Sequence, residues 1–217
     1  METATLGSTM ARLRAETRQQ HVAAENSGFI TDLLGGRLSL AAYTDYLTQY
    51  ALIYQALESR SALPGDPPLL TDARLHRAAA IEADLAVLGA SAAAPLAATT
   101  AYVNRLEEVA AGPWQGYFPH HYTRYLGDMS GGQAMAKLLS RHYGATPAQL
   151  TFFDFDKIDN LVKYKRSYRE QIDALAISAS VVDAMVAECQ AAFAFNAAVF
   201  AELAERTPPP AKVAVNQ

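Results

Sequence analysis

An all-α, single-domain fold is what this sequence predicts, and three observations predict it. Apolar residues recur at spacings of three and four along nearly every segment. No run keeps the strict apolar–polar alternation of a strand. Neither an internal repeat nor a linker interrupts the 217 residues, a length that one large core can serve.

The same periodicity predicts about eight helices, near residues 9–25, 29–34, 39–60, 69–88, 95–110, 117–142, 157–176 and 180–205. Ser39 is placed to cap "LAAYTDYL", and Gly89 follows the end of "IEADLAVL". Ser180 and Asp183 have capping-box spacing. "LPGDPPLL" and "HYGATPAQ" read as turns, with Pro147 opening a helix. The domain is expected to span residues 1–206, and the tail "TPPPAKVAVNQ" (207–217) to be disordered.

Composition removes several functions. The hydrophobic fraction is 51%, the charged fraction 18% and the formal net charge −4, so no global basic field draws the chain to nucleic acid or anionic lipid. A single cysteine, Cys189, leaves no internal disulfide and no Cys–Cys metal pair, and its apolar neighbours mark it as a buried small residue. "METATLGSTMARLR" has no apolar h-region. The most hydrophobic segment, 177–200, is interrupted by Asp183, Glu188, Gln190 and Asn196, which suits a core helix better than a membrane anchor. A cytoplasmic location is the expectation.

The segment "LRAETRQQHVAAEN" sets Arg14, Arg18, His21 and Glu25 on one helical face. A neutral imidazole is the commonest nitrogen ligand for a metal, heme iron included, and its second nitrogen normally meets an acceptor. Glu25, at i+4, could be that acceptor; ordinary i,i+4 surface pairing remains open. The other histidines are His76, His120, His121 and His142. None completes a Glu-x-x-His di-iron pair or a His-Glu-x-x-His zinc motif. His76, in "ARLHRAAAIEADL", reads as a structural hydrogen-bonder.

The stretch "YTRYLGDMSGGQAMAKLL" is helical in pattern yet carries Gly127, Gly131 and Gly132. Against alanine they cost a helix roughly 2–3 kcal/mol together. Gly127 and Gly131, four apart, share a face, so the backbone there can touch a flat ligand, bend, or pack on another helix. Asp128, with Arg124 one turn earlier, favours a polar pocket beneath the helix.

At this point "RYLGDMSGGQ" resembles the signature of the heme oxygenase family. "QQHVAAENSGF" is similar to its proximal-histidine helix, and "LIYQALE", "LHRAAAIEADL", "KYKRSYR" and "AFAFNAAVFAEL" resemble further shared segments. Met129 stands where leucine is usual, a change of little consequence. The resemblance looks closest to soluble bacterial enzymes of the actinobacterial type.

That resemblance implies heme b held between a proximal N-terminal helix and a kinked, glycine-rich distal helix. It implies cleavage at the alpha-meso carbon with O2 and electrons to biliverdin, CO and ferrous iron, for iron release, with bilin supply the competing purpose. His21 becomes the metal ligand, supported by Glu25. Asp128 becomes the distal carboxylate that orders water, with Arg124, Tyr54 and Asn196 completing the network and Gly127, Gly131 and Gly132 as bare backbone. Arg14 (replacing the usual lysine), Tyr122, Lys165 and Arg169 become the propionate contacts, and Phe193 and Phe153 pocket or core wall. The basic rim would dock an acidic electron donor, a ferredoxin or a flavin/NADPH reductase. The rivals are a non-catalytic heme carrier and a related all-α enzyme on a thiamin-like substrate. Asp128 weighs against the first, and the apolar setting of Cys189 and the lack of clustered carboxylates against the second.

Overall fold

The computed structural model describes residues 7–90 and 94–207, apart from the side chain of Glu25. The tail from 208 onward therefore lies outside the described residues, as does the N-terminus before Gly7. Nine α-helices are found among the described residues. They are α1 (Thr9–Glu16), α2 (Arg18–Glu25), α3 (Gly28–Leu34), α4 (Leu40–Leu57), α5 (Ala78–Val87), α6 (Ala97–Ala110), α7 (Trp114–Tyr143), α8 (Leu161–Asp173) and α9 (Ala179–Arg206). Short 3-10 turns at Pro68–Thr71, Pro147–Gln149 and Thr151–Phe153 complete the set.

Several boundaries differ from expectation, α8 (expected over 157–176) among them, and two of the differences have a visible cause. The helix expected over 9–25 is two, because Thr17 leaves helical geometry (φ −109°, ψ 7°) while its hydroxyl donates to the Leu13 carbonyl at 2.6 Å. A threonine that bonds back to i−4 closes a helix in this way. The helix expected over 69–88 begins only at Ala78, where Glu58 accepts from the backbone N–H groups of Arg77 and Ala78 and so caps α5 from another element. Helix α7 starts at Trp114, earlier than expected, and carries Pro119 internally. The capping box expected at Ser180 and Asp183 is not used. Ser178 is the N-cap of α9, with no side-chain cap bond, and Asp183 instead pairs with Arg12 at 2.8 Å.

Other boundary residues behave as the sequence suggests. Ser39 Oγ accepts from Ala42 N, Gly89 turns the chain at φ +67°, and Pro147 opens its 3-10 turn. Gly144 ends α7 in the left-handed region at φ +67°, a conformation that favours glycine.

Helices α7 and α9 are the spine, and α4, α6 and α3 pack around them. Helix α9 is long and apolar enough by composition to cross a membrane, yet Val182, Met185, Cys189, Phe193, Val199 and Leu203 are buried inside the bundle. It is the core helix its polar interruptions suggested. A polar staple also joins the spine to α6: buried His120 places Nε2 2.7 Å from Glu188, which takes two bonds from Arg105.

The other half of the core is aromatic. Tyr43, Tyr46, Tyr50 and Tyr54 follow the helical period down one face of α4 and are all buried. Phe152 meets Tyr54 edge-on at 5.5 Å, and Phe153 lies 6.2 Å from Tyr43. These two phenylalanines are held in place by buried Asp84, which accepts from Thr151 N, Thr151 Oγ1 and Phe152 N at 2.6–2.9 Å. One carboxylate thus pins the turn that covers the glycine segment of α7.

Candidate functional site

The glycine segment and Asp128 lie on α7. The hydrogen-bonded helix runs unbroken through Gly127, Gly131 and Gly132, so the expected kink does not appear as a break. The three glycines serve two purposes. A Cβ placed on Gly127 or Gly131 would meet nothing within 4 Å, whereas one on Gly132 would lie 3.1 Å from the Phe153 ring. Close helix packing therefore accounts for Gly132 alone. Gly127 and Gly131 leave bare backbone facing open space, a cradle for a flat ligand.

Asp128 sits between them, half-buried, and its Oδ2 accepts from the Tyr54 hydroxyl. Burial pushes the carboxyl pKa above its usual range, opposed by Arg124, by the Tyr54 hydrogen bond and by Arg77. Burial, and then the neighbouring carboxylate, keep the Tyr54 phenol protonated. Arg124 is 7% exposed, and its Nε and Nη1 are buried with no protein partner. Burial weighs against the cation, but Tyr50, Tyr54 and Asp128 outweigh it and hold the pKa up. Among the described residues Arg124 and Asp128 form no ion pair, so their coupling is electrostatic across a gap. Donors left without partners beside a carboxylate and bare backbone are what a water-filled or ligand-filled polar pocket needs.

Asn196 is buried and accepts at Oδ1 from the Tyr50 hydroxyl, at 3.0 Å. One turn earlier on α9, Phe193 meets His21 edge-on, at 5.9 Å between ring centroids and 73° between planes. Helix α9 therefore carries Phe193, the neighbour of His21, and Asn196 at i and i+3. His21 itself is exposed on α2. Glu25 ends that helix, and its side chain lies outside the described residues.

The remaining histidines are occupied otherwise. His120 and His121 are buried; His121 places Nδ1 2.8 Å from Tyr168 Oη, and burial lowers its pKa to about 3. His142 packs on the Gly36 turn. His76 is exposed. Among the described residues no group of three or more His, Cys, Asp or Glu could hold a metal ion.

Tyr122 is half-buried, and burial pushes its phenol pKa up to about 12, while Arg169 and Arg14 pull it back. Three elements therefore bring these groups together: α1, α7 and α8. Lys165 is placed differently from a simple rim cation. Its Nζ donates to the Met129 carbonyl at 3.3 Å and to Ser130 Oγ at 3.2 Å, tying α8 to the glycine segment. Arg169 is exposed and donates to the Lys165 carbonyl in its own helix. Two open grooves of about 420 and 530 Å³ lie around Trp114, and none of their lining residues belongs to the cradle.

A family profile for heme oxygenase matches residues 8–202. The chain belongs to the heme oxygenase family. It is 35% identical over 202 residues to rat heme oxygenase 1, covering 88% of this chain and 70% of the relative. With heme oxygenase 1 of Nostoc it shares 32% over 200 residues, covering 88% and 84%. The crystal structure of heme oxygenase-1 from Synechocystis in complex with heme superimposes with a TM-score of 0.85 at 31% identity, covering 92% of this chain and 94% of that one. The protein is an all-α heme oxygenase, and its function is heme oxygenation.

One site residue was missed by sequence reasoning. Tyr50 touches both Arg124 and Asn196. Its signal was present, since Tyr43, Tyr46, Tyr50 and Tyr54 mark one face of α4, but that stripe reads equally as core packing.

Proposed function

We propose that heme lies between α2 and the bare face of α7, with His21 as the axial ligand and Glu25 orienting its imidazole. The observation that carries this reading is the open space above Gly127 and Gly131, directly beside Asp128 and the unpartnered nitrogens of Arg124. The Synechocystis relative is in complex with heme, which supports heme as the ligand. Heme supplies both the iron that activates O2 and the ring that is opened.

The chain's own residues bind, orient and deliver protons. Tyr54 holds Asp128 Oδ2, which leaves Oδ1 to order water over the ligand face. A carboxyl with a raised pKa holds and releases a proton more readily near neutral pH than an ordinary aspartate does. Arg124 and Asn196 supply further donors to that water and keep it directional. Phe193 meets the His21 ring edge-on and gives that side an apolar wall. Arg14, Tyr122, Lys165 and Arg169 anchor the two propionates and fix the in-plane rotation, which selects the alpha-meso carbon. Lys165 reaches a propionate from the position where it already holds Ser130.

The same cationic rim, with Arg166, is the docking surface for an acidic electron donor, a ferredoxin or a flavin/NADPH reductase. The setting is cytoplasmic, and the purpose is iron release of the actinobacterial type. The deciding experiment is aerobic turnover of the heme complex with reductant, followed by chromatography of the product. Alpha-isomer biliverdin with free ferrous iron is expected; intact heme with an unchanged Soret band would overturn the assignment.

A further inference from the structure

Tyr50 contacts two residues of the proposed distal network, Arg124 and Asn196, through different parts of its side chain. We propose that Tyr50 is a positioning residue that sets the donor direction of both Arg124 and Asn196; this rests on the distal reading above.

Two independent contacts carry it. The Tyr50 hydroxyl donates to Asn196 Oδ1 at 3.0 Å, inside a fully buried environment. That bond fixes which end of the amide is which. With Oδ1 turned to the phenol, the Nδ2 hydrogens are left to donate elsewhere. The face of the Tyr50 ring lies 5.0 Å from the Arg124 guanidinium carbon. Because Arg124 Nε and Nη1 make no hydrogen bond to the protein, no bond from those atoms fixes the fork. The flat ring beneath it fixes its plane instead, and so fixes where those two N–H groups aim.

Tyr50 can do this because it is itself immobilised. Tyr46 lies 4.0 Å away by ring centroid, Tyr54 lies 6.1 Å away, and Phe152 meets it edge-on at 6.2 Å. Tyr54, the partner of Asp128, is the next rung of the same helical stripe. One face of α4 thus sets the carboxylate through Tyr54, and the arginine and asparagine through Tyr50.

The two contacts use different parts of the side chain, so two variants separate them. Tyr50→Phe keeps the ring and removes the tie to Asn196. Tyr50→Leu removes both. The first readout needs no ligand: solvent exchange of the Arg124 Nε–H and the Asn196 side-chain amide, by nitrogen-15 NMR of the ligand-free protein. Tyr50→Phe should free the Asn196 amide alone, whereas Tyr50→Leu should also speed Arg124 exchange by at least about tenfold. The second readout is the pH midpoint of the acid–alkaline absorption change of the heme-loaded protein. It should move by about half a unit in Tyr50→Leu and less in Tyr50→Phe.

Parental exchange and midpoint in both variants would overturn the proposal, and so would a fall in melting temperature with neither readout moved. If the heme reading were wrong but Tyr50 still positioned these groups, the ligand-free exchange would change and no heme spectrum would develop. The two failures are therefore distinguishable.

Discussion

Helices α2 and α7, the two walls of the proposed heme site, are built in opposite ways. Helix α2 is eight residues long, none of its described side chains is buried, and Thr17 separates it from α1. Helix α7 runs for 30 residues and buries Phe118, His120, His121, Arg124, Tyr125 and Met129, among others. The neighbours differ as well. Helix α1 is tied down by Asp173 accepting from Met10 N and by the Arg12–Asp183 pair, and Gln190 donates to Glu16 O where α1 ends. Helix α7 is clamped by core packing on one side from Tyr117 to Gly132. A wall that must order water has to be rigid before the ligand arrives, since each misdirected donor weakens the network. A wall that offers one imidazole can take its final position from the bond it makes. On the proposed reading, the proximal side is held largely by its ligand and the distal side by the fold.

The sharpest way to break that contrast is to remove the proximal bond. His21→Ala should leave heme able to enter, because the cradle and the cationic rim remain, while turnover falls by about 100-fold or more. Added imidazole should restore part of it. Absorption spectra and biliverdin yield measure this, and full activity without imidazole would assign the axial bond elsewhere.

The corresponding distal test removes a proton handler from a rigid wall. Asp128→Asn should preserve heme binding and lower biliverdin formation by about 10²–10⁴-fold, with a gain in peroxidase activity toward a small phenol. A pH signature accompanies it. Burial raises the folded carboxyl pKa above its ordinary 3.8, so ionised Asp128 opposes folding once pH passes that range. The stability associated with the protonated form is present at low pH and lost as pH rises through the raised value. Asp128→Asn should therefore be the more stable protein at neutral pH without ligand, and the gap should close as pH falls toward 3.8. Denaturant midpoints at several pH values read this directly. A less stable asparagine variant at neutral pH would mean that the Tyr54 bond and Arg124 outweigh burial.

A smaller effect is expected at the proposed propionate rim on α8. Arg169 is exposed, so Arg169→Glu should weaken heme binding by about 1 kcal/mol, a few-fold in affinity. It should nevertheless mix the biliverdin isomers, because the heme can rotate in its plane. A single unchanged isomer at normal affinity would show that Arg14, Tyr122 and Lys165 suffice.

How much of this the sequence disclosed depends on how local the cause is. The helical class, the α4 and α7 segments and the Ser39 and Gly89 boundaries rest on residues adjacent in the chain, and they were legible. The break at Thr17 was not, since a threonine in an amphipathic run reads as helix until its hydroxyl is seen on Leu13 O. The late start of α5 depends on Glu58, twenty residues away, and no local pattern encodes that. In the site, the glycines and Asp128 stood out because they break the helical norm. Tyr50 conforms to it and was hidden in the core stripe. Lys165 was read as a rim cation because charge is visible in sequence, while its bond to the Met129 carbonyl is not.

The finest test separates the three glycines, which look alike in sequence and differ in surroundings. Gly127→Ala and Gly131→Ala add a methyl to open space, so each should stabilise the ligand-free protein by about 0.5–1 kcal/mol through helix propensity. Each should also weaken heme binding, because the methyl occupies the cradle. Gly132→Ala meets the Phe153 ring at 3.1 Å, and Phe153 belongs to the turn that Asp84 pins at Thr151 and Phe152. Displacing it should cancel the propensity gain and leave that variant no more stable than the parent. Heme affinity should fall less than at the other two positions, because this methyl faces the core. Denaturation midpoints and heme titrations of the three variants check both orders at once. Equal stabilisation at all three positions would mean that the Phe153 turn yields easily. Unchanged heme affinity at Gly127 and Gly131 would mean that the bare backbone is not the surface on which the ligand lies.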